Sequence, residues 1–154
     1  MANRFPTRII SGGQTGVDRA ALDAAIEVGI PHAGWCPRGR LAEDGRIPDR
    51  YQLLETDAAD YPARTERNVL DSDGTLVLCR GEPSGGTELT IRLAQRHGQS
   101  YLVIDLDDDP SPADVAEWLQ TNCVAVLNVA GPRESQSPGI ARQAAEFLRQ
   151  VLAG

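Results

Sequence analysis

Three apolar, strand-like runs in this chain each lead into a glycine-bearing turn followed by a helical pattern. Ile9-Ile10 runs into Ser11-Gly12-Gly13-Gln14-Thr15-Gly16, Leu76-Val77-Leu78-Cys79 precedes Ser84-Gly85-Gly86-Thr87, and Val124 to Val129 precedes Gly131-Pro132. A helix that starts just past a strand leaves backbone N–H groups without partners and a partial positive charge at its first turn, the ordinary chemistry of anion binding. Gly12, Gly13, Gly16, Gly85, Gly86 and Gly131 permit close backbone approach, Gln14 adds an amide, and Ser84, Thr15 and Thr87 add hydroxyls. Three such turns can share one anionic ligand.

All 15 basic residues are arginine, which removes a lysine Schiff base, a lysine general base and the lysine of a nucleotide-binding P-loop. Arg38 and Arg40 flank Gly39 after a strand-like run, a spacing that can grip an oxyanion with two guanidinium forks. Arg64 and Asn68 are four apart and share a helix face, and Arg133 follows the third turn, so these too are candidates for the anion site. Asp18 falls in the first turn of a helix, where a carboxylate interacts well with the dipole and also stands close to any bound ligand.

Two familiar phosphate cradles do not fit. Against G-x-G-x-x-G, the first turn has Ser11 where the first glycine belongs, and no acid follows the second strand to take a ribose hydroxyl. Gly81 and Gly86 have P-loop spacing, but Thr87 stands where the lysine is required. Metal chemistry has little to build on: His32 and His97 are isolated, and Asp105 to Asp109 reads as a solvated acidic loop. Cys36, close to arginines, has the chemistry of a soft metal ligand but reads more simply as a partly exposed, inert thiol. Cys79 and Cys123 read as small buried thiols beside strands, and no disulfide framework is expected.

The elements that would position these residues alternate. Strands are expected at Arg8–Ser11, His32–Trp35, Gln52–Glu55, Thr75–Cys79, Tyr101–Leu106 and Val124–Val129. Helices are expected near Gly16–Val28, Ala63–Leu70, Thr87–His97, Ala113–Thr121 and from Ile140 onward, with a long loop over Cys36–Pro48. The nearly continuous apolar run ending in Cys79 suits a strand covered on both faces. The expectation is one domain over residues 1–154: an α/β three-layer, doubly wound and mainly parallel sheet with helices on both faces, binding ligand at the strands' carboxyl ends.

A net charge of −7 argues against nucleic acid as the main partner, since backbone phosphates are held by basic faces. No apolar run is long enough to cross a bilayer and Met1 to Pro6 has no signal-peptide core, so a cytoplasmic protein without membrane attachment is expected.

The stretches Ser11 to Asp23, Gly34-Trp35-Cys36-Pro37-Arg38-Gly39-Arg40 with Ala42 to Gly45, Arg64 and Asn68, Asp71 to Thr75, Gly85-Gly86-Thr87-Glu88 and Asn128 to Arg133 together resemble the putative molybdenum carrier family over most of the chain. The resemblance implies a Rossmann-like fold related to the LOG and lysine-decarboxylase-like proteins. It also implies a homo-oligomeric carrier of molybdenum cofactor, a phosphorylated pterin bearing the metal. Kinship with LOG phosphoribohydrolases implies an alternative, hydrolysis of nucleoside monophosphates, and a non-catalytic nucleotide sensor is a third reading. The LOG pattern P-G-G-x-G-T-x-x-E is contracted here to Pro83-Ser84-Gly85-Gly86-Thr87-Glu88, so Glu88 is the candidate catalytic carboxylate only by position near the turn, with helix capping or a ligand hydrogen bond as its other roles.

Overall fold

A computed structural model describes residues 4–153. Strand β1 (Arg8–Ile10) turns into helix α1 (Val17–Val28), whose stripe of Val17, Ala21 and Ala25 is buried. The helix stops at Gly29, which takes the left-handed conformation (φ 81°) and returns its N–H to the Ala25 and Ile26 carbonyls.

The single strand expected at His32–Trp35 is two. Strand β2 (His32–Ala33) pairs with β1, then Gly34, at φ 140°, swings the chain away so that β3 (Trp35–Cys36) leaves the main sheet. A Cβ at Gly34 would stand 2.0 Å from the Ser11 carbonyl oxygen, so only glycine allows this departure. The long loop then folds on itself through a hairpin, β4 (Leu41–Ala42) with β5 (Gly45–Arg46), and through β6 (Leu54–Glu55), which pairs in parallel with β3. Cys36, Ile47 and Tyr51 from this excursion pack on Leu22 of α1 as a small second core.

Helix α2 (Tyr61–Leu70), strand β7 (Gly74–Cys79), helix α3 (Gly85–Arg96), strand β8 (Ser100–Asp105), helix α4 (Pro112–Thr121), strand β9 (Val126–Ala130) and helix α5 (Ile140–Ala153) complete the chain. Every residue of β7 is buried, as its apolar run requires. The main sheet has five parallel strands in the order β2-β1-β9-β7-β8. Helices α1, α4 and α5 cover one face over Ile9, Leu76, Leu78, Leu127 and Val129, while α2 and α3 cover the other around Val69, Leu93 and Ala94.

The last strand of the chain is the central one. Counted from β9 as the first strand and continuing through β1, β2, β7 and β8, the sheet order reads 3-2-1-4-5, the doubly wound arrangement with its start moved to the end of the chain. The strand order therefore reverses between β9 and β7. Ligands of such sheets bind in the crevice at that reversal, beyond the strands' carboxyl ends.

Candidate functional site

The turn after β1 is filled by the protein's own groups. The α1 amide of Val17 donates to the Pro132 carbonyl (3.2 Å) and that of Arg19 to the Gln14 carbonyl (3.1 Å). Asp18, only 3% exposed, receives Arg64 Nη1 at 3.0 Å on its Oδ2, and the Gln14 backbone N–H also faces its carboxylate. Burial pushes the Asp18 carboxyl above the ordinary carboxylate range, against the pull of Arg64 and of that N–H. Gly12 exists for the same pair: a Cβ there would lie 1.8 Å from Arg64 Nη1. The expected open cradle of amides is thus absent from this turn, because a carboxylate of the chain already occupies the helix start.

The turn after β9 packs against the first. A Cβ at Gly16 would stand 2.3 Å from the Pro132 carbonyl oxygen, and one at Gly131 would stand 2.1 Å from the Leu78 carbonyl oxygen. These glycines let three backbone segments meet. Helix α5 does not begin at once, and the intervening segment carries Arg133, whose guanidinium carbon is 5.4 Å from the Tyr61 ring centroid. Among the described residues this guanidinium donates no hydrogen bond. Arg64 lies at the same 5.4 Å from Tyr61, so two cations flank one aromatic ring.

The turn after β7 is different again. Ser84 is the extended N-cap of α3, and its carbonyl takes the amides of Thr87 and Glu88 at 3.2 and 3.4 Å. The amides of Gly85 and Gly86, the first of the helix, have no carbonyl within the helix to reach. A Cβ on either glycine would meet nothing within 4 Å. This helix start is open.

All three turns reach one cavity of about 360 Å³ at the β9/β7 reversal. Gln14 and Asp18 line it from the first turn, Gly85, Gly86 and Thr87 from the second, Gly131 and Arg133 from the third, and Tyr61 and Arg64 from α2. Among the described residues, two buried donors carried by its wall residues have no hydrogen-bond partner, Gln14 Nε2 and Arg64 Nε. Buried polar groups of folded proteins are nearly always satisfied, so a pair of orphans in one cavity wall points to an acceptor from outside the chain.

Other candidates stand elsewhere. Arg40 is buried and donates to the carbonyls of Ile47, Pro48, Leu53 and Tyr51, so it is the hub of its own loop instead of an anion grip. Arg38 is exposed on the surface outside the cavity. Asn68 bonds both the N–H and the carbonyl of Trp35 (2.8 and 3.0 Å), holding β3 as a neighbouring strand would. Gly13 faces Ile47 and Leu53. Thr15 donates to Glu43 and accepts from the Glu134 N–H, facing a second hollow of about 680 Å³ between α1 and α5. Ser84 and Glu88 are exposed outside the cavity, with Glu88 Oε1 3.9 Å from Arg92 Nε, so the candidate catalytic carboxylate does not face it.

Cys36 is not partly exposed but fully buried in the second core, where burial pushes its thiol up and away from the thiolate form, and of the other two cysteines Cys79 is buried as expected while Cys123 is exposed. His32 accepts from the Gln52 N–H and His97 meets Glu66 at 3.2 Å, and among the described residues no group of three metal-ligating side chains occurs. Pro62, Leu89, Thr90, Arg92, Ala130 and Gln136 also line the cavity without having stood out in the sequence, as do Tyr61 and Thr65. With Arg64 and Asn68, these last two fall at i, i+3, i+4 and i+7, a helical stripe beginning with an aromatic residue beside two arginines.

A family model described as the circularly permutated YpsA SLOG family matches residues 9–152. The chain belongs to that family. Permutation is what the sheet itself displays, since the doubly wound order is recovered only when β9 is counted first. The chain is also 48% identical to a putative molybdenum carrier protein from Syntrophus aciditrophicus SB, whose crystal structure superposes with a TM-score of 0.93 over 98% of both chains. None of the curated proteins matches it. Among the described residues no helix is long and apolar enough to cross a membrane.

Proposed function

We propose that this member of the permuted family binds a phosphorylated, ring-bearing small molecule at the β9/β7 crevice, and that its cargo is molybdenum cofactor. The observation that carries this reading is the convergence of donors without protein acceptors on one cavity: the open Gly85 and Gly86 amides, the Arg133 guanidinium, which donates no hydrogen bond among the described residues, and the buried Gln14 and Arg64 nitrogens. In this arrangement the α3 start and Arg133 take the phosphate, while Tyr61, with guanidiniums over its ring, adds aromatic surface beside a planar heterocycle.

The name of the 48% identical neighbour supports a molybdenum-bearing cargo. The donor set fits such a cargo through its pterin and phosphate, because the cavity wall offers amides and guanidiniums but no cysteine. Binding without turnover is favoured over phosphoribohydrolysis, since Glu88 faces away and Asp18, the carboxylate in the wall, is committed to Arg64. The reading extends to a cytoplasmic homo-oligomer that engages neither nucleic acid nor membrane, in keeping with the charge of −7.

Production in a host that makes molybdenum cofactor, followed by anaerobic purification, tests the proposal. Molybdenum and pterin fluorescence should co-purify in near-equal amounts with the protein. A protein free of both, with ribose 5-phosphate released from nucleoside monophosphates instead, would replace the carrier by the hydrolase.

A further inference from the structure

The Gln14 carboxamide is held in one orientation. Its oxygen accepts from two backbone N–H groups, Thr15 at 3.0 Å and Glu43 at 2.9 Å, so turning the amide over would set its NH₂ against two donors. The side chain is only 6% exposed and lines the cavity, and Nε2 is left buried without an acceptor. Arg64 Nε repeats the pattern from α2. Both orphans are donors, and the carboxylate in the same wall, Asp18, already receives Arg64 Nη1. What this part of the cavity lacks is an acceptor.

Position decides which part of a ligand supplies it. Gln14 follows β1 and the Gly85–Gly86 helix start follows β7, with β9 between them, so two strand spacings of roughly 10 Å separate the turns. One phosphate cannot bridge that span. With the phosphate at Gly85 and Gly86, Gln14 faces the ring end of the ligand, where ring nitrogens and oxo groups are the acceptors for an amide NH₂, and the oxo group is the one that exchange for an amino group turns into a donor.

We propose that Gln14 Nε2 is a specificity-determining donor that selects rings carrying an oxo group over rings carrying an amino group at the same position. The inference rests on the ligand reading above and narrows its substrate class. A site with a buried donor rejects a ligand that presents a second donor, and such discrimination is typically tenfold or more.

Two matched pairs of probes test this by titration calorimetry: hydroxymethylpterin phosphate with its diaminopteridine counterpart, and guanosine monophosphate with its diaminopurine counterpart. In whichever pair binds, the oxo compound should bind at least about tenfold more tightly. Gln14→Glu keeps one oxygen for the Thr15 and Glu43 amides and presents a second oxygen in place of the NH₂. It should therefore move the oxo-to-amino affinity ratio at least about tenfold toward the amino compound. Taking the ratio cancels any uniform loss caused by the added charge. A wild-type ratio near one, or a ratio that a folded Gln14→Glu leaves unchanged, overturns the role of Gln14 while the ligand reading stands. If Gln14→Glu does not fold, the wild-type ratio alone decides. Failure of both pairs to bind overturns the ligand reading and the role of Gln14 with it.

Discussion

The turns after β1 and β9 and the turn after β7 are all glycine-bearing strand ends at one crevice, yet their glycines answer to different constraints. Gly16 and Gly131 are hemmed in by carbonyl oxygens that a Cβ would overlap at 2.3 and 2.1 Å, whereas a Cβ at Gly86 would meet nothing within 4 Å. The first two turns are packed into each other and sealed by Asp18 and Arg64. The third keeps its helix amides free. A glycine-rich turn is thus a ligand cradle only where the protein's own groups have not already used the space and the donors.

That contrast can be broken most forcefully at the sealed end. Asp18→Leu leaves the partly buried Arg64 guanidinium without its carboxylate and should destabilise the fold by about 3 kcal/mol. Melting should fall by roughly 10 °C, read by calorimetry. Gly131→Ala drives a methyl group into the Leu78 carbonyl and should cost about 2–3 kcal/mol in denaturant unfolding.

Arg40→Ala strands the carbonyls that its guanidinium ties together and should cost about 2 kcal/mol, while Arg38→Ala, at an exposed site, should stay within about 0.5 kcal/mol. Equal effects of the two would mean that Arg40 is not the hub of its loop. At the open end, Gly86→Ala should leave stability unchanged or raise it by about 0.5 kcal/mol, since alanine suits a helix better than glycine. The same change should weaken binding of a phosphorylated probe by crowding the amides, a separation of stability from binding that the packed glycines cannot show.

The Arg38 and Arg40 pair also marks where reading the residues in order runs out. Two identical side chains flanking one glycine look like equivalent anion ligands. One is instead drawn inward because Ile47 and Tyr51 are buried beside it and their carbonyls need donors. The alternation of strands and helices was legible because β7 is apolar throughout and the helices keep their buried stripes. The split at Gly34 and the β4–β5 hairpin were not, being two-residue pairings set by tertiary contact. Insertion of β9 between β1 and β7 was equally hidden, since local pattern says nothing of strand order. The open turn was legible as glycine, but its openness depends on what does not approach it. The spacing of Tyr61 to Arg64 and Asn68 was legible as a helix face, but not that this face meets the crevice.

The most direct test of the account is a titration of isotope-labelled protein with hydroxymethylpterin phosphate, and separately with guanosine monophosphate, followed by amide resonances. The N–H signals of Gly85 and Gly86, with that of Arg133 across the cavity, should move saturably and furthest, while those of Val17 and Arg19, already bonded to the Pro132 and Gln14 carbonyls, should move least. Shifts centred on Val17 and Arg19, with the Gly85 and Gly86 signals unmoved, would contradict it.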